Sequence, residues 1–114
     1  MLLIISGAAG PLITAGSSCS VVIAMHGCAQ TTSDIGMDFV KNVGLNEVAE
    51  SNNLVILYPQ AVHSFELDNP EGCFDWWGYT GSTYATQKGV QMATVQAMAQ
   101  ATMTGAALAG LVMA

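Results

Sequence analysis

Two short runs of uninterrupted apolar residues stand out from a chain otherwise rich in alanine, glycine, serine and threonine. The first covers 21–25 (Val-Val-Ile-Ala-Met) and the second 54–58 (Leu-Val-Ile-Leu-Tyr). Runs of this length, rich in β-branched residues, predict strands apolar on both faces, as in a parallel sheet. Between them lies a polar loop, 27–36, holding Thr31, Thr32, Ser33 and Asp34. A helix is predicted from about Met37, with Val40, Val43, Leu45 and Val48 at near-helical spacing and Gly44 weakening its middle. Ser51-Asn52-Asn53 is a stop and turn signal, and Pro59 is expected to end the second strand. Strand, helix and strand in this order predict a right-handed βαβ unit. Residues 60–82 have no period and read as a long loop, a length usual for functional or disordered segments. Its cysteine and clustered aromatics argue for order. A last helix is predicted over 86–100, with Val90, Ala93, Val95 and Met98 turned inward.

The ends are less regular. Residues 1–18 read as a separate N-terminal segment, either a strand, disorder or a signal-like leader. The segment lacks a basic start, although Ala15-Gly16-Ser17 faintly resembles a cleavage context. Residues 101–114 form an apolar alanine- and glycine-rich tail. The charge-free stretch 92–114 is the best membrane-span candidate. It is a poor one, because it is rich in alanine, glycine and threonine rather than leucine and isoleucine, with no basic residue close to either flank.

Charge narrows the function classes. The 114 residues carry 2 basic and 8 acidic side chains, a formal net charge of -6. Nucleic-acid binding and attraction to anionic membranes need lysine and arginine, so neither is expected. Charged residues make up 9%, against about 25% in ordinary domains. So bare a surface suits a secreted protein working on an apolar or solid substrate, or reflects compositional bias alone. Cys19, Cys28 and Cys73 form no CxxC pair, so neither a zinc site nor a redox motif is indicated. Two of the three could pair in an oxidising compartment. No metal or cofactor is expected.

Two segments could carry chemistry. His26-Gly27-Cys28 follows the first predicted strand, at the strand end where α/β sheets place their sites. A glycine there allows a tight turn that leaves amide N–H groups free to hold a developing oxyanion. The plain alternative is an ordinary strand-to-loop turn. The second segment is Asp75-Trp76-Trp77-Gly78-Tyr79. Adjacent tryptophans in extended chain point to opposite sides, so one ring is expected inside and the other on the surface, unless both are buried.

Taken together, His26-Gly27-Cys28-Ala29-Gln30, Leu57-Tyr58-Pro59-Gln60, Asn69-Pro70 through Cys73, Asp75-Trp76-Trp77-Gly78-Tyr79 and Gln91-Met92-Ala93 resemble the secreted polyhydroxybutyrate depolymerases and related feruloyl-esterase-like enzymes. The resemblance covers roughly 19–100, which is read as a partial esterase domain. It implies an α/β-hydrolase fold, here partial, with a parallel sheet core and flanking helices. It also implies ester hydrolysis by a Ser-His-Asp triad, with the circularly permuted order in which the nucleophile lies upstream of the oxyanion motif. Carried over residue by residue, it makes Cys28 the backbone oxyanion donor, with His26 and Gly27 shaping the turn. Trp77, in preference to Trp76, becomes the substrate-crevice aromatic, and Cys28 pairs with Cys73.

The departures concern the triad. No G-x-S-x-G elbow is present. Ser18, in Gly16-Ser17-Ser18-Cys19-Ser20, is the nearest approach and runs straight into a strand. His63 stands where the family places no base. Asp34, Asp38, Asp68 and Asp75 lack triad context. The expectation is therefore an extracellular polyester depolymerase or carboxylic-ester hydrolase in part, its substrate a polyester or small ester, without its nucleophile and with the triad supplied by a second chain if at all. The rival expectation is a non-catalytic remnant that binds polymer surfaces. A small membrane-associated protein is a third.

Overall fold

The structure, a computed structural model, describes residues 2–7 and 19–104. Strands β1 (Leu2–Gly7), β2 (Ser20–Ile23) and β3 (Leu54–Gln60) form a mixed sheet in the order β1-β3-β2. Helices α1 (Thr32–Ile35), α2 (Asp38–Asn42) and α3 (Leu45–Ser51) connect β2 to β3, and α4 (Val90–Thr104) follows a long loop. β2 runs parallel to β3, with Val21 opposite Val55 and Ile23 opposite Leu57. A helical connection between two parallel strands is thus present, made of three short helices instead of one. β1 is antiparallel to β3, so the sheet is not purely parallel.

β3 is the centre of the molecule, buried from Val55 to Gln60. Its side chains alternate between two layers, as the two-residue period of a strand requires. Ile56 and Tyr58 pack with Ile4, Ala24, Val40 and Ala49, against Phe39 and Leu45 from the α1–α3 side. Val55 and Leu57 pack on the other face with Met98 of α4. Helices therefore cover both faces of the sheet.

Several expectations need correction. The helix foreseen from Met37 is divided between α2 and α3, because Gly44 at φ 84° takes a left-handed conformation that ends one turn and starts another. Val40 is buried, but Val43 and Val48 are exposed. Pro59 does not end β3, which continues to Gln60 with Pro59 opposite Leu3. β2 pairs only as far as Leu57, so β3 is paired on one side there and tolerates a proline. β2 is not buried on both faces either. As an edge strand among the described residues, it leaves Ile23 exposed, and the predicted run's last residue, Met25, lies beyond the strand and is exposed as well.

α4 begins at Val90 rather than 86 and runs to Thr104, across the boundary expected at 100. Its inward stripe is Gln91, Val95, Met98 and Thr102, whereas Val90 and Ala93 face outward. Part of the segment 1–18 is the strand β1, with Ile4 buried in the core. The rest of that segment and most of the apolar tail lie outside the described residues. Among the described residues, no helix is long and apolar enough to cross a membrane, and no cluster of three metal-ligating side chains occurs.

Candidate active site

Past β2 the chain turns sharply at residues 28–29. Ala29 adopts φ 55°, a left-handed conformation that a β-carbon disfavours and that the surroundings must enforce. Those surroundings are explicit. The Gly27 N–H donates to Oε1 of Gln30 at 2.7 Å, and the Ala29 N–H donates to the Glu71 carbonyl at 2.7 Å. Cys28 lies between these two engaged amides and is joined to Cys73 by a disulfide with Cα atoms 4.3 Å apart. Cys19 is free.

His26 fixes the turn from below. Its Nε2 accepts the Ala61 N–H at 3.1 Å, so Nδ1 carries the proton and donates to the Gly27 carbonyl at 2.6 Å. The ring is buried, 4.8 Å from the Phe74 ring. Both nitrogens are committed to backbone, which makes His26 a support for the turn and not a base.

Loop 61–89 is organised around two side chains whose roles were not foreseen. Asn69 is fully buried. Its Nδ2 donates to the carbonyls of Val62 and Cys73, and its Oδ1 accepts the Cys73 N–H at 2.9 Å. Asp75 accepts the backbone N–H groups of Trp77, Gly78 and Tyr79 on Oδ1, and the N–H and hydroxyl of Thr80 on Oδ2. Burial opposes its ionisation. The Thr80 hydroxyl and amide bonds, with those from Gly78 and Trp77, outweigh that and bring its pKa down to about 2. Asn and Asp followed by Gly-rich chain were the available signals, since both side chains commonly bond the backbone just ahead.

The wrapping around Asp75 overturns the expected tryptophan arrangement. Trp76 is 70% exposed and Trp77 37% exposed, so Trp76 does not point into the fold. The segment is a turn, and the opposite-sides rule for extended chain does not govern it. The rings meet edge-on at 5.2 Å, and Trp77 lies 4.9 Å from Tyr79. Both tryptophans line a groove of about 320 Å³ together with Cys28, Cys73, Asp68 and Glu71. Cys28 and the aromatic pair, some fifty residues apart in sequence, thus share one cleft.

The structure also brings Asp34 and His63 together. His63 Nε2 lies 3.0 Å from the Asp34 carboxylate, and Nδ1 donates to the Pro70 carbonyl at 2.5 Å. The Thr31 hydroxyl donates to the same carboxylate at 2.6 Å. An acceptor at each ring nitrogen favours the charged form of His63. The Pro70 carbonyl first, and then Asp34, push its pKa up. A triad histidine needs one nitrogen free to take the serine proton, and His63 has none. Asp38 sits at the start of α2, accepting from Asn42, and Asp68 on the groove wall. Ser18 lies outside the described residues. Among the described residues, no hydrogen bond joins a serine hydroxyl to a histidine ring.

A polyhydroxybutyrate depolymerase from Talaromyces funiculosus is 44% identical to this chain over 86 residues, covering 68% of this chain and 25% of the relative. A poly(3-hydroxybutyrate) depolymerase from Delftia acidovorans is 38% identical over 89 residues, covering 78% and 17%. The chain is homologous to a stretch of the polyhydroxybutyrate depolymerases. The crystal structure of the depolymerase from Penicillium funiculosum matches at TM-score 0.75 and 39% identity, over 81% of this chain and 32% of that one. A depolymerase structure complexed with an R3HB trimer matches equally well. The mixed sheet with helices on both faces is therefore that of depolymerase structures, of the α/β-hydrolase kind. The chain spans a quarter or less of the curated depolymerases' length and about a third of the solved ones. No family model matches the chain.

Proposed function

We propose that this chain carries the oxyanion donor and the aromatic wall of a serine-type polyester depolymerase site, with nucleophile and general base supplied from outside these 114 residues. One observation carries the reading: the Cys28 turn and the Trp76–Trp77 pair line the same groove, in a chain homologous to depolymerases. The neighbouring amides of Gly27 and Ala29 are spent on Gln30 and Glu71, which leaves the Cys28 N–H as the donor for a carbonyl oxygen. In such a site a serine attacks the ester carbonyl and a histidine takes its proton. The Cys28 N–H then steadies the oxyanion, a contribution of about 3–4 kcal/mol. The tryptophans hold the apolar backbone of a hydroxybutyrate polymer, the class of ligand in the trimer-bound neighbour. An extracellular location is in keeping with the Cys28–Cys73 disulfide.

The test is hydrolysis of a chromogenic butyrate ester by this chain alone, with expected turnover no greater than buffer. Turnover that disappears in Ser18→Ala would contradict the reading by placing a nucleophile at Ser18. Turnover that persists would place one elsewhere in the chain.

The second reading, a polymer-binding protein without catalysis, is favoured by the 70% exposure of Trp76. It shares the groove and differs only in needing no partner. Activity regained on mixing with a triad-bearing depolymerase segment favours the first reading. Adsorption to polyhydroxybutyrate granules without any regain favours the second.

A further inference from the structure

We infer that Asp75 is the positioning residue of the aromatic wall, its carboxylate gathering the backbone of residues 77–80 so that Trp76 and Trp77 stand over the Cys28 turn. The inference rests on the proposed polyester site and deepens it. Four consecutive amides converge on one carboxylate: Trp77, Gly78 and Tyr79 on Oδ1, and Thr80 on Oδ2 at 2.7 Å. Successive N–H groups in a turn form a concavity that binds anions, and here the chain's own aspartate fills it. Gly78 at φ 99° permits the winding.

The carboxylate turn is anchored at both ends. The Asp75 N–H donates to Gln91 Oε1 at 2.7 Å, and Gln91 Nε2 donates to the Tyr79 hydroxyl at 2.6 Å. That hydroxyl donates in turn to the Cys73 carbonyl at 2.7 Å. Cys73 is bonded to Cys28. A continuous path of short bonds therefore runs from α4 through the aromatic wall to the oxyanion turn. Asp75 is the only member that touches four residues of the wall at once. An amide in its place keeps the shape but only one acceptor oxygen, so its NH₂ meets either the Trp77–Tyr79 amides or the Thr80 amide and hydroxyl as donor against donor.

The experiment compares the full chain with Asp75→Asn and the milder Thr80→Val, which removes only the hydroxyl bond to Oδ2. Two edge-on indoles 5.2 Å apart couple their transitions and produce an exciton band in the far-ultraviolet circular dichroism. That band reports ring geometry separately from helix content. Asp75→Asn is expected to abolish the band and weaken binding of an R3HB trimer roughly tenfold or more, with the helical signal retained. Thr80→Val is expected to reduce both by a smaller factor. An unchanged band in Asp75→Asn overturns the inference, and so does a folded Thr80→Val and Asp75→Asn pair with wild-type trimer affinity. A band lost in Asp75→Asn, in a wild-type chain that binds no trimer, upholds the positioning role and overturns the polyester reading instead. If Asp75→Asn does not fold, the band in Thr80→Val decides: unchanged, it overturns the inference; diminished, it upholds it.

Discussion

Asn69 and His26 show how much of the site depends on single buried polar side chains. Asn69 closes three bonds to the backbone of its own loop with no exposure to water. Asn69→Ala would strand the Cys73 N–H and two carbonyls, each unmet buried group costing about 1–3 kcal/mol. A drop of about 2–4 kcal/mol in urea unfolding is expected; a change within about 0.5 kcal/mol would mean that water replaces the side chain. The tryptophans separate in the opposite sense from simple strand logic. Trp76→Ala removes an exposed ring and should leave stability within about 0.5 kcal/mol while weakening adsorption to polyhydroxybutyrate granules. Trp77→Ala, which breaks contacts with both Trp76 and Tyr79, should lower both. Undiminished adsorption by both variants would remove the aromatic wall from polymer binding. The identity of these residues was legible in the sequence, but their orientation was not. It depends on five hydrogen bonds to Asp75 that no periodicity reveals.

At the level of elements, both apolar runs are legible as strands, because branched residues favour extended chain, but only β3 is the covered strand that the pattern implies, β2 lying at an edge. What the pattern misjudged were features fixed by neighbours. β3 continues through Pro59 because β1 alone pairs with it there. α4 turns a half-buried Gln91 and a buried Thr102 inward where an apolar stripe is expected, since Gln91 is tied to Asp75 and Tyr79.

The link between α1 and the loop at His63 has a pH signature. The Thr31 hydroxyl, with His63 and the Thr31 amide, lowers the Asp34 pKa, so its contribution exists above the ordinary carboxylate range and is lost as pH falls through the depressed value. The His63 pKa is raised, so its contribution is complete below about pH 6.5 and is lost as pH rises through the raised value. The clamp is therefore strongest between roughly pH 4 and 6.5. The thermal midpoint should fall on the alkaline side of that window, and the fall should flatten in His63→Gln. An equal alkaline fall in His63→Gln would assign it to another group.

The whole molecule is a small sheet with helices on both faces, stapled by one disulfide across 45 residues. Closing a loop of that length constrains the unfolded chain by about 4 kcal/mol, a large share of the total of about 5–15 kcal/mol held by a domain. Reduction, or Cys28→Ala with Cys73→Ala, should therefore lower the urea midpoint steeply. A midpoint indifferent to reductant would show that the noncovalent bonds around Asn69 and Glu71 suffice. The disulfide and the bonds of Asn69 and Asp75 converge on one cleft, the proposed seat of a hydroxybutyrate ester. The most direct measurement is a titration of the ¹⁵N-labelled chain with R3HB trimer, followed by amide and indole resonances. The Cys28 amide and the Trp76 and Trp77 indoles are expected to move together and saturate at one affinity, with resonances of Ala49 and Val40 unmoved. A well-dispersed spectrum in which those three resonances stay fixed, or in which the shifts gather elsewhere, would contradict it.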